Sequence, residues 1–410
     1  MSRTPRFTRT SLSVAVLAAL PMLANAAGFQ VNEHSAAGLG RAFAGEAAIA
    51  DDASVIARNA AGMSLLDSQM FTAAVSYIKP EVDVELEGRG TAKNVADEAV
   101  VPTFYYVRPI DERWTVGIGG FSNFGLATHY GNASGITPAA DETELTTYNL
   151  NPSVAYRVND DLSVGFGVNF VYADATLTSS SATPIPGFLP NGGDISKLTG
   201  DDWGYGWNAG ILWQATDATR VGLSYRSEVK LKLEGKVSTD TVMPWNSKGS
   251  VDLTLPSIAE LSVHHQLNDK LAVHASAVHT GWSSFDELAT DLDNGQNFPT
   301  VKEEWKESWR YAVGMTYQYN DQWTWRTGIA KDNSPVRNEH RTFRIPDADR
   351  IWVSVGGSYK LDKAQSVDFG YAYLQGKKVD IDEEFMGSSM KAEVKAADVH
   401  ILSLQYNYRF

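Results

Sequence analysis

The sequence predicts an all-β fold, a 14-stranded antiparallel transmembrane β-barrel with an N-terminal plug in its lumen. Three observations carry this. Long segments alternate apolar and polar residues with a period of two. Tight polar turns alternate with longer connections along the chain. The last strand ends on an aromatic residue, with aromatics at every second position before it.

The alternation begins near Met70. Val164, Phe166, Val168, Phe170 and Tyr172 interleave with Gly165, Gly167, Asn169 and Val171. Val313, Met315, Tyr317 and Tyr319 interleave with Gly314, Thr316 and Gln318. Successive strand side chains point to opposite faces, so each segment has one apolar face and one polar or small one. A soluble sandwich gives the same pattern, and the spacing of turns separates the two. Short turns are expected at Asp111-Glu112, Asn159-Asp160-Asp161, Thr216-Asp217-Ala218, Asn268-Asp269, Asn320-Asp321 and Asp362-Lys363. Longer connections are expected near 88–99, 129–145, 179–202, 236–250, 290–300, 332–344 and 376–391. Short turns on one side and long loops on the other are the pattern of an outer-membrane barrel. Six turns and seven loops give the fourteen strands. The chain then stops at Phe410, in phase with Tyr408 and Tyr406. Trp114, Trp213, Trp282, Trp323 and Trp325 fall near turns or strand ends, where interfacial aromatic girdles are expected.

Composition agrees. The chain has 410 residues, 43% hydrophobic, and no cysteine, which excludes disulfides, thiolate metal sites and a cysteine nucleophile. Arg3, Arg6 and Arg9 precede an apolar run from Leu12 to Leu23, and Ala24-Asn25-Ala26 has the small-x-small form of a cleavage site. Residues 1–26 are thus expected to be a secretory signal peptide. Beyond them no apolar run approaches the roughly 20 residues of a spanning helix. The formal net charge of −14 argues against nucleic acid as a partner. The eight histidines show no metal-ligand spacing, and no G-x-S-x-G nucleophile turn is present, so neither a cofactor nor an enzyme is expected.

A fourteen-stranded barrel is too wide for its own side chains to fill. Residues 27–66 lack strand alternation and are rich in Ala and Gly, so they read as the plug, with 67–410 as the barrel. Gly38-Leu39-Gly40-Arg41-Ala42 has no Lys-Ser/Thr ending and is not a phosphate loop. Charges at membrane depth, among them Arg226, Glu228, Arg326, Asp332, Asp347, Asp349 and Arg350, should face the lumen and hold plug to wall.

Several ordered motifs resemble the FadL-type long-chain fatty acid transporters. They are Ala27-Gly28-Phe29-Gln30-Val31-Asn32-Glu33, Gly38–Ala42, Ala48-Ile49-Ala50-Asp51-Asp52-Ala53 and Ser122-Asn123-Phe124-Gly125-Leu126-Ala127-Thr128. Trp203–Gly210, Tyr225–Lys230, Arg326–Ala330 and Ile345–Arg350 extend the likeness over the mature chain. The resemblance implies a monomer in the outer membrane, surrounded by lipid and lipopolysaccharide. It implies a hatch-closed barrel that passes long-chain fatty acids, or other hydrophobic compounds such as hydrocarbons, downhill and without a cofactor. It further implies a pocket near the mature N-terminus and a sideways exit at a kink in the third strand.

Two departures stand out. Asn59-Ala60-Ala61 replaces the family's Asn-Pro-Ala, leaving Asn59 to hold the hatch bend. The pocket's Ser is matched by Ser122. Its Arg position carries Ser179, and its Lys position carries Val301, with Lys302 adjacent. The expected ligand-binding and gating residues are Phe29 as gate, Phe124 as tunnel wall, Ser122 and Lys302 near the head group, and Asn59 in the hatch. The apolar stretch Pro184-Ile185-Pro186-Gly187-Phe188-Leu189-Pro190 is the expected outer docking groove.

Overall fold

A computed structural model describes residues 28–131, 135–385 and 387–410; the expected signal peptide lies outside them. Fourteen antiparallel strands close into one barrel. They are β1 Met70–Leu86, β2 Ala99–Pro109, β3 Trp114–Phe121 with Gly125–His129, β4 Glu142–Arg157 and β5 Leu162–Ser181. Next come β6 Gly193–Thr216, β7 Thr219–Arg226 with Val229–Ser238, β8 Ser247–Leu255 with Ile258–Asn268, β9 Leu271–Thr280 and β10 Ser308–Gln318. The last four are β11 Trp323–Asp332, β12 Arg350–Lys360, β13 Gln365–Gly376 with Val379–Phe385, and β14 Ser388–Arg409. Neighbours in sequence pair in space, and β1 closes on β14 from Met70 opposite Arg409 to Leu86 opposite Ala392. No sheet edge is left along this seam, which is what a hydrocarbon environment requires.

The polarity of the barrel is inverted relative to a soluble protein. On β14, Leu402 and Leu404 are more than half exposed, whereas Ser403 and Gln405 are 2% exposed. Phe166 and Trp207 on neighbouring strands also face outward and stack. Apolar residues therefore meet lipid, and polar ones meet the lumen.

The six tight turns lie at the predicted positions, and five share one device. Asp111, Asn159, Asn268, Asn320 and Asp362 each accept backbone N–H bonds from the residues two and three ahead. These Asx turns reverse the chain with no need for glycine. The long connections differ more from expectation. Much of 179–202 and most of 376–391 is strand, because β5, β6, β13 and β14 run past the membrane as paired ribbons. The 20-residue β5 and 24-residue β6 are about twice what a crossing needs.

Residues 28–66 fill the lumen. Helix α1 (Ala36–Gly40) starts at Ser35, whose hydroxyl accepts the Gly38 N–H. Helix α2 (Val55–Arg58) leads into a 3₁₀ turn, Ala60–Leu65. The segment is buried almost throughout and bonds to the wall around its circumference. Gly45 N donates to Ser276 at 2.7 Å, Ala36 N to Gln405 at 2.9 Å, and Arg310 to the Ala42 carbonyl at 2.6 Å. Backbone and wall touch directly at glycines. A Cβ at Gly222 would lie 1.9 Å from the Ala47 carbonyl oxygen, and one at Gly328 2.0 Å from that of Arg41. Ion pairs add to this, as expected: Arg41 bridges Glu46 and Asp51, and Arg326 of β11 reaches Asp51 at 3.4 Å. Glu228 departs from the expected pattern. It lies in the break of β7, exposed, 3.7 Å from Lys230.

Candidate functional site

An apolar cavity of about 130 Å³ lies between the outer connections and the plug. Alternate residues of four adjacent strands supply its wall: Leu145 of β4, Leu177 of β5, Leu198 of β6 and Leu233 of β7. Phe298 and Val301, from the connection between β9 and β10, cover it.

Phe29 forms part of its boundary and is 1% exposed. Its ring sits 4.6 Å from Trp282, 5.3 Å from Phe285, 5.6 Å from Trp305 and 6.1 Å from Phe124, mostly edge-to-face. Such pairs add to the burial of a large ring. Residue 28 must be glycine here, because it has φ of +66° and a Cβ would meet Trp282 at 2.7 Å. The Gly28 N–H donates to Asp347 Oδ2 at 2.9 Å, and Arg350 holds the other oxygen at 2.7 Å. Trp282 is thus a correction to the sequence reading: it is fully buried in this cage, whereas Trp114, Trp213 and Trp325 do face outward.

Beside the cage the barrel wall is interrupted. The pairing of β2 with β3 ends at Phe104 and Gly120, while β2 continues upward paired only to β1. Residues 122–124 turn inward at this point. The N-terminal segment replaces the missing partner, with Val31 N donating to Asn123 O and Gly125 N to Phe29 O, both at 2.7 Å. Ser122 locks the break. Its hydroxyl donates to Phe124 O at 2.9 Å, and its carbonyl accepts from His34 Nε2 at 2.9 Å.

The expected site residues therefore separate into groups. Phe29 and Phe124 meet in the cage. Ser122 organises the strand break and has no place on the cavity wall. Asn59 ties plug to wall, donating to Ala47 O at 2.7 Å and Ile211 O at 3.0 Å and capping Ala61 N. Lys302 is exposed and points away; its neighbour Val301 lines the cavity, so no bulge brings the lysine in. In the apolar loop, Phe188 packs on Trp245 at 6.3 Å, and Trp245 on the cavity residue Phe298 at 5.0 Å. The stretch 184–190 is thus continuous with the outer end of the cavity.

A cation that the sequence reading missed lies on the cavity wall. Arg344, from the connection between β11 and β12, donates to Ser179 Oγ at 2.7 Å, Thr178 O at 3.0 Å, Thr143 Oγ1 and Ala139 O at 3.1 Å. All these partners are neutral, and among the described residues no carboxylate lies within 4 Å of it. Ser179, where the resemblance places an arginine, is thus filled in space by a guanidinium from elsewhere in the chain. Nearby, Glu303 is 1% exposed, accepts the Trp305 indole N–H at 2.9 Å, and has no partner for its other oxygen. Burial pushes its pKa up to about 8.

The fourteen-stranded barrel has solved relatives. The family model described as outer membrane protein transport protein (OMPP1/FadL/TodX) matches residues 17–410. The chain belongs to this family. The long-chain fatty acid transport protein of Escherichia coli O6:H1 is 38% identical, with both chains covered in full. The crystal structure of a Pseudomonas aeruginosa FadL homologue superimposes with a TM-score of 0.85 at 25% identity, over 94% of this chain and all of that one. The P. putida toluene transporter TodX shares the fold, with a TM-score of 0.71 at 20% identity over 87% and 94% of the two chains. As a member of the OMPP1/FadL/TodX family the protein is an outer-membrane barrel, and the family is one of transporters and channels rather than enzymes.

Proposed function

We propose that this protein carries long-chain fatty acids across the outer membrane. The carrying observation is a guanidinium whose hydrogen-bond partners are all neutral, set in the wall of a largely apolar cavity. The acyl chain occupies the leucine-lined cavity and the carboxylate meets Arg344, with Lys236 also on the wall. Burying a sixteen-carbon chain contributes on the order of 10 kcal/mol, largely offset by lost freedom. A charge-assisted carboxylate bond adds about 1.5–3 kcal/mol, and an alkane cannot make it.

Ligand enters along the apolar outer loops, with Phe188 and Trp245 at the groove. Displacement of Phe29 then joins the cavity to the break between β2 and β3, and Phe124 walls the passage. Ser122 and Asn59 position the break and the plug. No step needs a cofactor, so flow follows the concentration gradient. In this reading residues 1–26 are removed on export, 27–66 form the hatch, and the 67–410 barrel works as a monomer.

The test compares binding of oleate and oleyl alcohol to the purified protein and its Arg344→Gln variant. The proposal expects wild type to prefer oleate, and the variant to lose oleate affinity by about 10- to 100-fold with the alcohol unchanged. Equal affinity of wild type for oleate and a neutral hydrocarbon of similar length would transfer the assignment to hydrocarbon uptake.

A further inference from the structure

Behind the Phe29 cage lies a small polar cavity of about 20 Å³. Gln30, His34, Arg58, Asn123, Arg226 and Glu260 are among the residues that line it. Arg226, the last residue before the break in β7, is 8% exposed. One of its terminal nitrogens donates to Asn169 Oδ1, and the other to Ala57 O at 2.9 Å. Its guanidinium also lies over the Phe121 ring, 5.2 Å from the centroid, where β3 parts from β2.

The charges here do not balance. Arg58 stands 3.6 Å from Glu260, which leaves Arg226 with neutral partners only among the described residues. A buried cation without a counter-ion is costly, and the cost is relieved when an anion arrives. One further buried donor on a cavity-lining residue has no partner, Arg58 Nε. An orphan donor marks a place where an acceptor belongs.

We infer that this cavity is a second carboxylate subsite, which receives the head group of the ligand at Arg226 after the gate opens. The inference rests on the fatty acid reading above. Gln30 follows Phe29 directly and forms part of the cavity wall, so displacing the gate opens the polar cavity toward the apolar one. The carboxylate then leaves Arg344, passes the cage first and draws its chain behind it. The subsite stands at the wall break, so the head group is held at the exit while the tail clears the gate. A ligand without a charge gains nothing from it.

The experiment measures uptake of labelled oleate and labelled oleyl alcohol by cells that carry wild type, Arg226→Gln or Ser224→Asp as their only copy. Ser224 lines the same cavity two residues from Arg226, so the aspartate supplies a permanent counter-ion and spares the fold a buried polar mismatch. Both variants are expected to slow oleate uptake at least tenfold. Oleyl alcohol uptake and equilibrium binding of oleate to the purified protein should stay within twofold of wild type. Parallel loss of both substrates in the variants, or loss of neither, would overturn the subsite. Should wild type itself fail to take up oleate, the fatty acid reading falls first and this inference with it.

Discussion

Replacing Phe29 by alanine tests the proposed gate directly. The ring is buried to 99% and contacts four aromatic neighbours with centroids 4.6 to 6.1 Å away. Removing a buried phenyl ring costs about 3–5 kcal/mol in a site that cannot collapse. Collapse is hindered here, because the space beside residue 28 is already taken: a Cβ there would lie 2.7 Å from Trp282 and 2.8 Å from Trp305. In the proposed gating the lost contacts belong only to the closed state, so the substitution is expected to shift residues 28–31 toward displacement. At about 1.4 kcal/mol per decade, even the lower figure raises the open fraction on the order of a hundredfold. Hydrogen exchange on the purified protein reads this as faster exchange at the Val31 and Gly125 amides, which hold segment and strand break together. Exchange on β1 and β14 should stay as in wild type. Because Phe29 also bounds the cavity, oleate binding should weaken and uptake should not be restored to wild-type level. Unchanged protection at Val31 would refute the argument, since the cage would then contribute nothing to closure.

Three further outcomes are expected. Lys302→Ala should leave oleate affinity within twofold, checked by titration, because that side chain is exposed and turned from the cavity. Glu303 has a folded-state pKa of about 8, raised by burial from 4.5, so its neutral form is the one the fold favours. Its contribution to stability is complete below about pH 4.5 and is lost as pH rises through about 8. Exchange protection of residues 303–305 should therefore fall between pH 6 and 9 in wild type and stay flat in Glu303→Gln; a flat wild-type profile would contradict this. Gly222→Ala forces a Cβ to within 1.9 Å of the Ala47 carbonyl, so the plug must shift. Protection around Gly45–Ala48 should drop while the barrel still migrates as a folded species on unheated gels.

The barrel was legible in the sequence because its physics is periodic. Lipid on one face and a polar lumen on the other impose alternation, and Asx turns mark five of the six reversals at one end. The outer ends were harder to place. Val379, Ile381 and Phe385 do alternate, but the charges between them read as a loop, since nothing local distinguishes a solvated ribbon from one. Phe29 and Phe124, singled out from motif and position, do come together, with ring centroids 6.1 Å apart. Lys302 was misplaced although the same period-two rule points Val301 inward and its neighbour out. Arg344 was invisible for another reason: it meets Ser179 across 165 residues of chain, and one sequence holds no record of that pairing. Trp282 follows Gly281 just past the end of β9, where a strand-end aromatic reads as girdle until the chain is seen to bend inward.

The seam between β1 and β14 has a consequence for how the molecule is made. Gln405 on the last strand accepts from Ala36 N and donates to Asp52, linking positions more than 350 residues apart. The first-synthesised part of the barrel protein is thus enclosed by the last. Once the two terminal strands zip together, the plug can no longer enter sideways between them, only through an end of the barrel. Because Gln405 sits on one of those strands and holds the plug at two points, seating of the plug and pairing of the last strand reinforce each other.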